Sequence, residues 1–129
     1  MKTKTIWGNL PVKDVERTKK FFLELGFKFN GGNNELCSFI IAENAFIINF
    51  IGEEKFKKEA SYSELTDTKK SAEICFSLSA ESKQEVNEWA AKVRSLGGTV
   101  LLEPQDIPGN MYNTVFADLD GHRWNVLYC

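Results

Sequence analysis

Residues 72–98 read AEICFSLSAESKQEVNEWAAKVRSLGG, in which a strand signal is followed directly by a helix signal. Residues 72–79 alternate between the two faces of a strand, a period of two that predicts β-structure. The face predicted to pack on a helix carries Ile74, Phe76 and Leu78. Ser82 and Glu85 form a capping box, and Gly97 terminates the apolar helical pattern that follows. The segment therefore predicts a strand that leads into a helix.

The same order occurs in the first half of the chain. Residues 4–12 alternate as a strand, Asp14 is placed to cap a helix, and Gly26 is placed to end it. Three further strands are predicted after each helix: 27–29, 36–41 and 45–51 in the first half, and 99–103, 111–117 and 123–128 in the second. A turn at Glu43 and Asn44 joins two of them, and residues 104–110 predict a loop. Both halves therefore predict a βαβββ module, and the fold class is α+β.

The domain organisation follows from this duplication. Module 1 spans residues 1–51, module 2 spans residues 72–129, and together they make one domain, since 129 residues suit a single core. The polar, lysine-rich stretch 52–71 has few large apolar side chains and predicts a linker with about one helical turn.

Composition excludes several classes of protein. With 43% hydrophobic and 26% charged residues the chain is not disordered, and a net charge of −2 without a basic stripe argues against nucleic-acid binding. The longest apolar run, 45–51, is too short to span a membrane, and no signal peptide is visible, so we expect a cytoplasmic protein. The three cysteines are widely spaced and predict free thiols. His122 is the only histidine, which excludes sites that need two imidazoles.

The sheet face away from the helices is predicted to hold the functional residues. It mixes polar and apolar groups, as ligand pockets do: Trp7, Asn9, Asn49, Glu73, Cys75 and Asn125. Superposing the helix ends of the two modules makes Trp7 equivalent to Glu73 and Asn49 equivalent to Asn125. A one-residue slip of the strand would put Ile48 in the place of Asn49.

Two motifs carry a resemblance to a known family. The run Leu10-Pro11-Val12-Lys13-Asp14, with Phe21-Phe22 and Leu25-Gly26-Phe27, opens the chain, and residues 116–125, FADLDGHRWN, close it. With the duplication they resemble the vicinal oxygen chelate superfamily, which includes glyoxalases, bleomycin-resistance proteins and extradiol dioxygenases. The resemblance implies a cupped, partly open eight-stranded mixed sheet with helices on its outer face. It also implies a cavity for a small molecule, often in a homodimer.

Metal enzymes of that superfamily hold a divalent ion with four inward side chains, usually His and Glu. The matching positions here are Trp7, Asn49, Glu73 and Asn125, of which only Glu73 is a strong ligand. Amide oxygens are poor ligands for a transition metal, and an indole does not ligate, so no cofactor is expected. A hard divalent cation held by Glu73 with amide oxygens is the alternative.

Three functions stay open. The first is a bleomycin-resistance-like protein that binds a small organic ligand through Trp7, Asn49, Cys75 and Asn125, as a homodimer. The second is an enzyme of lyase, isomerase or dioxygenase type with Glu73 as acid/base or metal ligand. Burial of Glu73 on an apolar strand would favour its neutral form. The third is a protein-interaction module. Each residue also has a plainer interpretation: Glu73 as a hydrogen-bonded or solvated carboxylate, Trp7 as cavity filler, Cys75 as a packing residue, and Asn49 and Asn125 as amides that pair with each other or with Glu73.

Overall fold

The computed structural model describes residues 1–43 and 46–129. Within these residues the chain divides into two compact units, Met1–Leu65 and Thr66–Cys129. The predicted turn at Glu43 and Asn44 and the predicted strand start at Ala45 involve Asn44 and Ala45, which lie outside the described residues. No helix in the described part of the chain is long and apolar enough to cross a membrane.

The N-terminal unit contains a four-stranded mixed sheet and two helices. In chain order its elements are β1 (Trp7–Val12), α1 (Val15–Leu25), β2 (Lys28–Gly32), β3 (Leu36–Ile40), β4 (Ile47–Gly52) and α2 (Glu53–Ala60). The strand order is β1-β4-β3-β2, with β1 parallel to β4 and the other neighbours antiparallel. The predicted βαβββ order is confirmed, although β1 begins three residues later than predicted and leaves Ile6 exposed.

Helix α1 covers one face of this sheet. Its predicted N-cap is confirmed, because the carboxylate of Asp14 accepts a hydrogen bond from Arg17 N at 3.0 Å. Phe22 of α1 stacks on Phe50 of β4 with ring centroids 4.3 Å apart and also contacts Phe39. These rings are almost fully buried and form the core between α1 and the sheet.

Helix α2 corrects the prediction of a linker with one helical turn. The structure has an eight-residue helix at Glu53–Ala60, followed by irregular chain. Ion pairs one turn apart stabilise it, Lys57 with Glu54 at 2.7 Å and Lys55 with Glu59 at 2.8 Å. The helix also contacts β1 and β4, so packing on the sheet provides the stability that its polar composition does not provide.

The C-terminal unit repeats the same topology. Its elements are β5 (Cys75–Ser79), α3 (Lys83–Ser95), β6 (Thr99–Ile107), β7 (Met111–Ala117) and β8 (Arg123–Tyr128). The strand order is β5-β8-β7-β6, with β5 parallel to β8. The predicted N-cap is confirmed, since Glu85 N donates to Ser82 Oγ, while Glu85 Oε2 accepts from Glu81 N, one residue before the cap. Trp89 of α3 stacks on Phe116, which stacks on Trp124 in the core.

Two predicted boundaries in this unit are wrong. Strand β5 begins at Cys75 and not at residue 72, so Glu73 lies in a bend before the strand. Strand β6 continues through Pro104 to Ile107, and Ile107 pairs with Met111. Most of the predicted loop at 104–110 is therefore strand, because an edge strand with bulges tolerates a proline.

Asp118 holds the β7–β8 hairpin to the core. Its Oδ1 accepts hydrogen bonds from the backbone N–H groups of Asp120 and His122, both at 3.0 Å, and its Oδ2 accepts one from Trp124 Nε1 at 3.1 Å. Burial raises the pKa of Asp118 above its ordinary value, while His122 and Trp124 act in the opposite direction. The carboxylate thus fixes both the turn and the first residues of β8.

We expect Asp118→Ala to lower the free energy of unfolding by about 1–3 kcal/mol, because the buried indole N–H of Trp124 loses its acceptor. Asp118→Asn should recover part of this loss, since its carbonyl oxygen still accepts from the two backbone groups. Urea unfolding followed by Trp fluorescence measures both. Asp106→Ala, which removes an exposed carboxylate paired with Lys83, is the control and should change little. Equal effects of Asp118→Ala and Asp106→Ala would contradict the role of Asp118.

Candidate functional site

Each sheet has one face that packs on a helix, α1 or α3, and one face that is turned away from that helix. We call these the distal faces: the face opposite α1 in the N-terminal sheet and the face opposite α3 in the C-terminal sheet. Because Phe50 packs on α1, strand alternation places Asn49 on the distal face, and Ile48 is fully buried on the α1 side. The alternative register with Ile48 on the distal face is therefore excluded.

A row of polar side chains crosses the N-terminal distal face. Asn9, Asn49 and Ser38 are direct neighbours in register on β1, β4 and β3. Asn49 Nδ2 donates to Asn9 Oδ1 at 3.0 Å, and Asn30 Nδ2 from β2 donates to Ser38 Oγ at 3.1 Å. Trp7 lies two residues before Asn9 on β1 and is 54% exposed. The N-terminal row is thus made of neutral hydrogen-bonding groups beside an exposed indole.

A second row crosses the C-terminal distal face. Asn125 Nδ2 donates to Ser77 Oγ at 3.1 Å, and Asn113 Nδ2 donates to Asn125 Oδ1 at 2.9 Å. The row Ser77–Asn125–Asn113 therefore connects β5, β8 and β7. Asn125 is the only member of this row among the site residues predicted from the sequence. The signal for Ser77 was its place two residues after Cys75 on the same strand face, and Asn113 had no comparable signal.

Asn113 ends this row with an unused acceptor. The residue is only 8% exposed, and within the described residues its buried Oδ1 has no hydrogen-bond partner. A buried carbonyl without a donor costs about 1–3 kcal/mol and is uncommon in folded proteins. A group that supplies an N–H or O–H to this oxygen would recover that cost.

The strand registers correct the predicted equivalence of Trp7 and Glu73. Asn9 lies opposite Asn49 in the first sheet, and Ser77 lies opposite Asn125 in the second. If the two asparagines are equivalent, Cys75 occupies the position of Trp7. Glu73 lies outside β5 with an exposed side chain, so the burial expected for it is not found. Its role as an acid/base or metal ligand stays a prediction.

A pocket lies between α2 and the N-terminal sheet. Its volume is about 290 Å³, and it is lined by Asn9, Ile51, Phe56, Glu59 and Ala60. Since Ile51 and Asn9 belong to the distal face, α2 lies on the side of the sheet opposite α1. A second depression, of about 810 Å³, follows the outer surface of α2 and is lined mainly by its lysine and glutamate side chains.

The donors at the positions implied by the superfamily do not fit a transition metal. Asn49 and Asn125 offer neutral amides that are already hydrogen-bonded to their neighbours, and Trp7 offers no lone pair. Among the described residues, no group of three or more His, Cys, Asp or Glu side chains is placed to hold a metal ion.

The chain belongs to the glyoxalase/bleomycin resistance protein/dioxygenase superfamily, whose family profile matches residues 6–126. This membership confirms the resemblance that the opening and closing motifs of the sequence indicate. Among curated protein sequences, none matches this chain.

Solved structures share the fold over the whole chain. The hypothetical protein SA1046 from S. aureus has a TM-score of 0.87 at 29% identity, covering 100% of this chain and 96% of its own. A glyoxalase-related enzyme from Fulvimarina pelagi has a TM-score of 0.85 at 18% identity, covering 98% and 88%. The fosfomycin resistance protein FosX from Listeria monocytogenes has a TM-score of 0.75 at 18% identity, covering 100% and 95%. The last two show the fold alone.

The three cysteines have different surroundings. Cys37 is buried in the α1 core, and its Sγ donates to Val15 O at 3.8 Å. Burial raises the pKa of Cys37 to about 12, with Glu16 adding to the shift and Lys19 opposing it. Cys75 and Cys129 are exposed. All three are free thiols, as predicted.

We therefore expect the native protein at pH 8 to react quickly with a thiol reagent such as DTNB at Cys75 and Cys129 only. Cys37 should react only after unfolding in guanidinium, because it is both inaccessible and protonated. The Cys37→Ala variant is the control and should give the same thiol count before and after unfolding. Fast reaction of all three thiols in the native wild type would contradict this assignment.

Proposed function

We propose that the distal face of each sheet binds a small, uncharged organic molecule, without a transition metal. The ligand carries both hydrogen-bond donors and acceptors, because both rows consist of amides and hydroxyls that offer both. Trp7 and Asn49 provide an aromatic face and an amide on the N-terminal sheet, and Cys75 and Asn125 provide a thiol and an amide on the C-terminal sheet.

The observation that carries the proposal is the unpartnered Oδ1 of Asn113 at the end of the C-terminal row. The oxygen is closed off from solvent, so a ligand reaches it when a neighbouring side chain moves. Ser77 is exposed and Asn125 is half-buried, so a ligand meets the row at these two residues before Asn113. A hydrogen-bond donor of the ligand that passes Asn125 and reaches Asn113 Oδ1 completes the hydrogen bonding of the row.

The enzymatic alternative rests on Glu73. Its side chain is exposed and lies before β5, outside the polar row of the C-terminal sheet. Binding without chemistry is therefore the function that the geometry supports best. Assembly into a homodimer and a cytoplasmic location, both expected from the sequence, stay predictions.

We expect benzamide, a neutral molecule with an amide donor and acceptor, to bind the EDTA-treated protein saturably. In ¹⁵N-HSQC spectra the side-chain amide signals of Asn113 and Asn125 should shift. Asn125→Leu should weaken binding about tenfold, the effect of roughly one lost hydrogen bond. Addition of zinc should leave the affinity unchanged.

Asn87→Leu is the matched control, because it makes the same change on the exposed surface of α3, where Asn87 accepts from Tyr112. It should leave benzamide binding intact. Thermal unfolding verifies that both variants fold. The proposal fails if benzamide leaves Asn113 and Asn125 unshifted, if both variants bind alike, or if the protein binds stoichiometric metal that supports turnover abolished by Glu73→Gln.

A further inference from the structure

We propose that the pocket between α2 and the N-terminal sheet, which shares Asn9 with the N-terminal row, binds a small primary amine that carries an apolar group. The pocket lies wholly within the unit Met1–Leu65. It depends on α2, of which the sequence predicts only about one helical turn. The proposal is independent of the C-terminal row and of any ligand bound there.

The shape and walls of the pocket define the apolar part of the ligand. Ile51, Phe56 and Ala60 form its apolar lining, and Ile51 is almost completely buried beneath α2. A volume of about 290 Å³ holds about ten water molecules at about 30 Å³ each. The pocket therefore suits a ligand with a single ring or a short alkyl chain, whose burial displaces that water.

The charge of the pocket defines the polar part. Glu59 is the one charged residue among the described residues that line it. One carboxylate oxygen, Oε1, accepts from Lys55 Nζ at 2.8 Å on the helix surface. A carboxylate has about four acceptor sites, so Glu59 keeps acceptor capacity for a second cation. An ammonium group with its apolar tail against Phe56 satisfies both features of the pocket.

Asn9 gives the opposite wall its polarity. Its Oδ1 already accepts from Asn49 Nδ2, and this bond leaves the Nδ2 group of Asn9 as the exposed donor of the pair. The pocket thus offers a negative acceptor on α2 and a neutral donor on β1. An anion would meet Glu59 unfavourably, and a neutral molecule would gain only the ordinary hydrogen bonds.

The test uses 2-phenylethylamine, its neutral counterpart 2-phenylethanol and the anion 3-phenylpropionate, titrated into the full-length protein and followed by ¹⁵N-HSQC. We expect the amine to bind saturably and to shift the side-chain amide of Asn9, the alcohol to bind more weakly and the anion not to bind. Glu59→Gln should weaken amine binding about fivefold to tenfold, because a charge-assisted hydrogen bond becomes a neutral one. It should leave binding of the alcohol unchanged.

Glu54→Gln is the matched control. It removes the same charge from the same helix. Both glutamates line the outer depression, but only Glu59 also lines this pocket, and Glu54 pairs with Lys57. It should leave amine binding unchanged. A second variant, Ala60→Leu, fills the pocket without a helix-breaking residue and should abolish binding of amine and alcohol alike.

The proposal is overturned if the amine does not bind, if the alcohol binds as tightly, or if Glu59→Gln and Glu54→Gln have equal effects. It is also overturned if Ala60→Leu, shown to be folded by circular dichroism, still binds the amine. Benzamide binding that shifts Asn125 is measured separately, so a failure of the amine site leaves the proposed function standing, and the reverse also holds.

Discussion

The two-residue period of the β-strand is the constraint on which the site depends. Each sheet must bury one face against its helix, and the aromatic stacks at Phe50 and Trp124 fix which face that is. Asn49 and Asn125 stand next to these rings in sequence, so they are forced to the other side. A slip of one residue would bury the amides among aromatic rings and expose the rings, which the hydrophobic core does not permit.

This period explains both the success and the limits of prediction from sequence. Alternation and caps are local, so α1, α3 and the strand faces could be predicted. The residue at which a strand begins or ends is not determined by the local sequence alone, as Glu73 shows. Residues 72–74 continue the alternating pattern, but the partner strand β8 begins at Arg123, which pairs with Cys75. The turn that Asp118 holds lies directly before β8, so residues before Cys75 have no residue of β8 to pair with.

The elements that prediction missed owe their structure to neighbours distant in sequence. Phe56 is the only large apolar side chain of α2, and the helix becomes stable where it packs against the sheet. Pro104 signals a loop in isolation, yet β6 is the edge strand, where a missing N–H group breaks no ladder on its outer side. Edge position and helix docking are both properties of the folded chain.

The duplicated fold gives its two halves different chemistry. Both distal faces carry amide and hydroxyl rows. Each hydrogen bond contributes only about 1 kcal/mol net, so the proposed ligand is selected by geometry more than by strength. In the C-terminal sheet, Asn113 Oδ1 has no hydrogen-bond partner among the residues that the structure describes. In the N-terminal sheet α2 adds a carboxylate and an apolar wall beside the row. The segment between the repeats has therefore become the feature that makes one repeat differ from the other.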